Sequence, residues 1–520
     1  MSAAAPTTGG GTDDLALLEQ ERPASRSRRA VLFGAGTGAA LSVGALTETA
    51  EAATADPVLH LLRRATYGPT PALVKRVRAQ GTTAWLESQL KPASIKDAKI
   101  DSLMPRWPGR DWTSLQVRQQ LDSVERWAFM YGVVERHIAR AIWSERQLLE
   151  MMVGFWTNHL VVPVPTAEVY DSAHLYQRDV IRAHALGRYS DLLWAAVRHP
   201  ALLRILDLAN STKNAPNENH ARELLELHTV GVGNYAEPDV INAACALTGL
   251  GIDDQTGAYV YRPQQHWVGA VKVLDWSHPN ASAAGEPVAK SLITHLARQP
   301  ATARRIATKL AVRFVSDNPS ASLVDKLAKT YLDQDTSITA VLRVLFTSPE
   351  FARSANQKVR TPFEDVIATL RVLGAQPDAS GTAGLHTMIG PLLRMGQLPM
   401  NWAAPDGFPD TADAWTTTST TLWRWNFHVG AVVSWNGTAL PTPKPRSLLP
   451  TTLPKTYRAL LDGLAARLCL TPLSASQRAA LCRYLDHAPT DRVRSTDPVT
   501  SWRLPHLVAV LLDSPNFTTR

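Results

Sequence analysis

The chain has 520 residues, 45% hydrophobic and 19% charged, with a formal net charge of +8, a globular composition with ample material for a buried core. Its three cysteines, Cys245, Cys469 and Cys482, form no C-x-x-C pair, which argues against structural zinc, and their apolar neighbours suit buried free thiols. There is no run of five basic residues, so no nucleic acid partner is expected; the modest basic excess suits an anionic surface instead.

In chain order, the first element is an address. Residues 25–55 read SRSRRAVLFGAGTGAALSVGALTETAEAATA. Arg28-Arg29 precedes a weakly hydrophobic stretch, Ala30 to Leu46, softened by four glycines. That stretch is shorter than the roughly 20 apolar residues of a membrane span. Ala50-Glu51-Ala52 and Ala53-Thr54-Ala55 are small-x-small cleavage sites. The three parts together describe a Tat-type signal peptide over residues 1–55. The Tat translocase is then a partner during export, and the mature chain acts outside the cytoplasm without a transmembrane segment. Tat carries proteins already folded, which raises the expectation of a cofactor or a co-exported partner.

Helical periodicity dominates the mature chain. Residues 57–79 give two helices broken at Gly68-Pro69, residues 115–143 one long amphipathic helix, and residues 144–159 a helix capped by Ser144. Further helices are expected at 168–187, 189–198, 200–208, 217–229, 238–249, 287–298, 300–315, 320–332 and 336–347. Later ones fall near 361–373, 384–395, 420–435, 455–468, 474–486 and 501–513. Residues 258–276 alternate with β-branched positions and suggest one short hairpin. The fold class is therefore all-α, a large multi-helix bundle with one short β-hairpin insertion. Residues 56–440 form its main helical domain, and residues 441–520 pack on it as C-terminal helices.

Gln397 to Thr421 is a long segment without regular pattern that holds Trp402, Asp406, Asp410 and Trp415 around PDGFPD. A long loop inside a compact domain is commonly functional or disordered. The aromatics argue for order and for a binding surface made by those four residues. Exposed indoles stack on sugar rings, although core packing is the commoner use of tryptophan.

The densest polar motif is NENHARELLELHTVGVGNY, Asn217 to Tyr235. On a helical wheel Glu218, Arg222, Glu226 and Glu223 fall within about 140° of one another. His220 and His228 fall on the apolar side. If the charged wedge looks outward it is a solvated face stitched by Glu218–Arg222 and Arg222–Glu226 pairs. If it looks inward, three carboxylates around one arginine suit acid–base work or a divalent metal of the hard, oxygen-preferring kind. His159, closing the apolar helix end FWTNH, joins them as a candidate ligand or base. His184, His266 and His278 each read as satisfied structural histidines. H-E-x-x-H, G-x-S-x-G, the Walker A loop, G-x-G-x-x-G after a strand, and Glu-x-x-His are all missing.

Several segments in order resemble one bacterial family, domain of unknown function 1800: LHLLRRATYGPTPALV, FWTNHLVV, AHALGRYSDLL, the Asn217–Gly249 stretch, ARRIATKLAVRFVSDNPS and PDGFPDTADAW. The resemblance covers nearly the whole mature chain and supplies no mechanism. It implies export, and a neighbouring exported partner of sulfatase- or phosphatase-like type. It includes charged residues at Glu218, Arg222, Glu223 and Glu226, with aromatics often standing where His220 and His228 are. This chain departs from it at His266-Trp267, where the family commonly shows His-Asp. Two functions remain open. One is a binding or assembly factor in the cell envelope that works with that partner through Gln397–Thr421. The other is a hydrolase of an envelope polysaccharide or its ester, with or without a metal, whose site holds His159, Arg222, Glu218, Glu223 and Glu226. The first has the edge, because no recognised catalytic motif is present.

Overall fold

The computed structural model describes residues 56–433 and 440–520. The twin-arginine segment lies outside the described residues. α1 (Pro57–Ala65) starts where the Asp56 carboxylate accepts from the N–H groups of Val58 and Leu59. α2 (Pro71–Gln80), capped by Thr70, follows the Gly68-Pro69 break. Two short helices that the apolar pattern does not mark come next, α3 (Thr82–Gln89) and α4 (Ala98–Leu103).

The long helix expected over 115–143 is two, α5 (Ser114–Gln120) and α6 (Ser123–Trp143). The backbone is extended at Leu121, and Asp122 with Glu125 forms a reciprocal capping box that starts α6 afresh. α7 (Gln147–His159) starts later than expected. Ser144 does not cap it by starting a helix at residue 144. Its backbone is extended, and its hydroxyl donates to Asp97 Oδ2 at 2.6 Å.

α8 (Ala173–Leu175) widens into a π-helical stretch, Tyr176–Arg182. After α9 (Tyr189–Val197) and α10 (Pro200–Ile205), α11 (Glu218–Glu223) widens likewise into a π stretch, Leu224–His228. Its cap is Asn217, whose side chain accepts from the His220 N–H at 2.9 Å. α12 (Glu237–Leu247) leads to the β insertion. The runs at 259–261 and 271–273 do not pair with each other. β1 (Leu250–Ile252) pairs antiparallel with β2 (Tyr259–Tyr261), and β3 (Val271–Val273) with β4 (Trp276–His278). Tyr259 and Tyr261 find their partners upstream, in residues that the alternation did not reach. His266 lies between the hairpins as a structural pin, its two ring nitrogens 2.8 Å from the Thr248 carbonyl oxygen and from Asn280 Oδ1.

The second half is helical: α13 (Glu286–Ala297), α14 (Pro300–Phe314), α15 (Ala321–Asp333), α16 (Ile338–Phe346), α17 (Pro349–Arg353) and α18 (Pro362–Leu373). The helix expected over 384–395 is split into α19 (Ala383–His386) and α20 (Ile389–Arg394). α21 (Thr418–Val433) precedes α22 (Tyr457–Leu468), α23 (Ala475–Tyr484), α24 (Leu504–Leu512) and α25 (Pro515–Thr518). The fold is all-α with a short β insertion. α18 is buried on nearly every side, as a helix at the centre of a large bundle must be. One contiguous apolar core runs from Leu59 to Phe517 and takes in α22 and α24. Cys245, Cys469 and Cys482 are buried free thiols. Among the described residues no helix is long and apolar enough to cross a membrane.

Two adjacent carboxylates on α18 are matched inside this core. Glu364 on α18 lies 2.8 Å from Arg313 and 3.0 Å from Arg520, which hold its carboxyl down at about 2 against the opposing effect of burial. At the next residue of α18, Asp365 meets His428 of α21, which lies between it and Asp513.

Candidate functional site

The 397–415 loop is ordered by polar clamps as much as by its aromatic residues. The Asn158 carboxamide at the end of α7 bonds both the N–H and the carbonyl of Phe408. Arg313 on α14 donates to Asp410 Oδ1 at 2.9 Å, and Lys358 Nζ donates to the Asp410 carbonyl at 3.0 Å. Asp317 Oδ2 accepts from the Ala412 N–H at 2.8 Å. Trp415 is a correction to the binding surface expected of the loop. It is only 7% exposed, and its indole N–H donates to the Pro409 carbonyl, so it anchors the loop and presents no surface. Asp410 is likewise spent on Arg313. Trp402 remains partly exposed, with its indole N–H donating to Asp406 Oδ1 at 2.7 Å and its ring 4.8 Å from that of Phe408.

Under this loop lies a cleft of about 460 Å³, walled by Phe155, Trp402, Phe408 and Val312, with Lys309, His159, Thr308, Asp406, Asp410 and Asn158 as polar groups of its lining. His159 ends α7 and Lys309 comes from α14, so their separation is set where the end of one helix meets the other. Lys309 Nζ is 3.2 Å from His159 Nδ1. His159 Nε2 is 3.0 Å from the Tyr189 hydroxyl, which donates to the His228 carbonyl. The chain of donors is consistent with one tautomer: Lys309 donates to Nδ1, Nε2–H donates to Tyr189, and Tyr189 donates to the backbone. His159, Tyr189 and His228 are buried, and of the four members Lys309 and the edge of His159 meet the cleft.

Burial and the neighbouring Arg305 pull the Lys309 ammonium down to about 8, against the attraction of Asp410 and Asp406. Burial, with Lys309 next, holds His159 neutral. An amine poised near neutrality in a cleft, hydrogen-bonded to a neutral imidazole, can take and return a proton.

The acidic wedge is not the buried cluster that a metal or acid–base role requires. Glu218 is exposed, and Arg222, Glu223 and Glu226 are half-buried. Arg222 does not stitch to Glu218 or Glu226. It makes a bidentate pair with Glu237 at 2.6 and 3.0 Å, because α12 crosses beside it. Glu226 accepts from the Tyr235 hydroxyl at 2.7 Å. Burial, then Glu226 and Asp406, raise the Glu223 carboxyl against the pull of Arg222. His220 and His228 are buried on the apolar side, and burial pushes them down to about 4 and about 3. Among the described residues, no group of three or more His, Cys, Asp or Glu side chains is arranged to hold a metal ion.

Of the candidate residues, His159, Trp402, Asp406 and Asp410 line one cleft. Lys309, Arg313, Tyr189 and Asn158 were not singled out by sequence. A signal for two of them exists: Arg305, Lys309 and Arg313 repeat every four residues in ARRIATKLAVRF, a cationic stripe on one helix face.

Residues 60–519 match the family model described as "Protein of unknown function (DUF1800)". No curated protein and no solved structure matches the chain. The match spans well over half of the sequence, including every residue of the cleft, and the chain therefore belongs to the DUF1800 family.

Proposed function

We propose that the protein acts outside the cytoplasmic membrane as a hydrolase of an ester carried by an envelope polysaccharide, with Lys309 as its proton-transferring group. The observation that carries this reading is the 3.2 Å contact between Lys309 Nζ and His159 Nδ1 at the cleft. Neutral Lys309 takes a proton from water as the water oxygen bonds to the ester carbonyl carbon. The resulting ammonium returns that proton to the departing alcohol as the carbon–oxygen bond breaks. His159 fixes the amine through one of its N–H groups and is itself fixed by Tyr189. The wall of Phe155, Trp402 and Phe408, edged by Thr308 and Asp406, suits a sugar ring, stacked on its apolar face and bonded at its hydroxyls. Export rests on the twin-arginine pattern.

A second reading, an assembly factor for an exported sulfatase- or phosphatase-like partner, is favoured by the outer face of the loop, where Asn401, Ala403, Ala404 and Asp406 are exposed. Acetate release from an acetylated polysaccharide separates the two. The hydrolase reading expects release to rise with pH through an inflection near 8. It also expects release to fall by about 100-fold in Lys309→Met. Equal release by wild type and Lys309→Met overturns it, and recovery of the exported partner by pull-down would then support assembly.

A further inference from the structure

A separate cavity, of about 100 Å³, lies between α6 and the π stretch at 176–182. Its lining is basic. Arg136 and Arg140 stand four residues apart on α6 and so share one helix face. The π stretch brings Gln177, Arg178 and Arg182 to the same space, and wide π turns recur at functional sites.

The carboxylates nearby are already engaged. Glu150 takes Arg182 in a bidentate pair at 2.9 and 2.6 Å. Asp179 takes Arg178 at 2.6 and 2.8 Å. Asp111 lies at the outer edge between Arg110 at 3.1 Å and Arg178 at 3.5 Å. Arg136, only 6% exposed, has no hydrogen bond or ion pair among the described residues. Arg140 has one hydrogen bond among the described residues, to the Met104 sulfur at 3.1 Å. Two guanidinium groups thus face one cavity with no carboxylate bonded to either among the described residues, and Asp111 and Glu150, which attract them from a distance, are shared with Arg110, Arg178 and Arg182. Burial pulls both down, Arg136 to about 10 and Arg140 to about 9, with Arg182 adding to the effect on Arg140.

An unpaired buried guanidinium is costly, and a buried like-charged pair more so. The fork of N–H donors on each group matches tetrahedral oxyanions. Gln177 adds a donor: its amide oxygen accepts from Thr157, and its NH2 has no acceptor among the described residues. His137, with no hydrogen bond among the described residues, forms part of the wall shared with the space under the 397–415 loop.

We propose that this cavity is a binding site for a phosphate-type oxyanion, held by Arg136 and Arg140 with Gln177. It is independent of the Lys309 chemistry. The cavity has room for several water-sized groups, so it takes one tetrahedral anion, and any larger molecule bearing that anion must leave by the mouth near Asp111.

The test titrates the purified chain with inorganic phosphate, inorganic sulfate and glycerol 3-phosphate, with chloride at matched ionic strength as control. Saturable heat and a raised melting temperature with phosphate, neither seen with chloride, are the expected result. Arg136→Met and Arg140→Met weaken the affinity by about tenfold or more, while Arg304→Met, an exposed arginine paired with Asp325, leaves it unchanged. In anion-free buffer Arg136→Met melts no lower than wild type, because the unpaired charge is gone. Tighter binding of glycerol 3-phosphate identifies an anion carried on a larger molecule, and equal or weaker binding a free ion. Absence of saturable heat with the wild-type chain overturns the proposal, whatever the variants do. Undiminished binding by both methionine variants overturns it as well.

Discussion

Asn158 and Phe408 close a two-bond ring. The Asn158 amide oxygen accepts from the Phe408 N–H at 2.6 Å, and its NH2 donates to the Phe408 carbonyl at 2.7 Å. The side chain acts as a one-residue strand, and it latches the loop to the residue just before His159. Gly407 makes the latch possible. Its φ is +79°, and a Cβ there would stand 2.0 Å from the Asn158 carbonyl oxygen. The cleft therefore owes its roof to one amide and one glycine.

Gly407→Ala adds left-handed strain to a clash with backbone and is expected to cost about 2 kcal/mol or more. Asn158→Ala strands a backbone N–H and carbonyl and is expected to cost about 1–3 kcal/mol. Both variants release the loop, so acrylamide quenching of tryptophan fluorescence rises with Trp402. Denaturant melts that leave Gly407→Ala level with wild type would show that the latch does not order the loop.

The acidic stripe predicts the opposite behaviour. Glu218→Ala changes stability by no more than about 0.5 kcal/mol, as at other exposed sites. Glu223 has a carboxyl raised above its ordinary value, so its charged form is disfavoured in the folded chain and stability falls as pH climbs past about 4.5. Glu223→Gln is therefore neutral to slightly stabilising at neutral pH. A loss of several kcal/mol in either variant, read by urea denaturation, would restore the inward reading.

The wheel placed His220 and His228 on the apolar side, and both are buried there. Local pattern suffices for that, since a helix face is a local property. What surrounds Arg222 is not local: its carboxylate partner, Glu237, comes from the next helix, across the turn at 231–236. The same holds for the cleft. His159 was legible as a polar group closing an apolar helix, but Lys309 lies 150 residues away, and only the tertiary fold brings α14 to the end of α7. The hairpins divide in the same way. Alternation marked Tyr259–Tyr261 and Val271–Val273 as strands, while each run finds its partner through its own turn, at 253–258 with Gly257 and at 274–275 with Leu274, both at a positive φ.

Lys309 offers a test that separates function from structure. Its folded pKa of about 8 is below the ordinary value of 10.5, so the unfolded chain binds more protons between those values. Stability contributed there rises with pH, and at neutral pH the charged amine is a burden. Lys309→Met is expected to gain about 1 kcal/mol at neutral pH, a figure kept small because the amine still meets solvent at the cleft. A variant that is more stable and less active marks a residue retained for chemistry. A variant that loses stability would make Lys309 a structural strut.

His428 gives the clearest pH signature. Its Nδ1 donates to Asp513 Oδ1 at 2.6 Å, and its Nε2 lies 3.1 Å from Asp365 Oδ2, with the imidazole wholly buried. Against the effect of burial, Asp365 and then Asp513 raise it to about 10. A raised pKa stabilises the fold fully below the unfolded value of 6.5 and loses that contribution as pH rises toward 10. Wild-type stability should therefore decline across that window. His428→Gln leaves Asp365 buried without its counter-charge and is expected to cost about 3–5 kcal/mol. Its urea midpoint should fall most at about pH 6 and converge on wild type toward alkaline pH, where the native imidazolium is itself lost. A midpoint deficit that stays constant from acid to alkali would mean that His428 is neutral in the fold and that Asp365 is held by Arg360 and Arg424 alone.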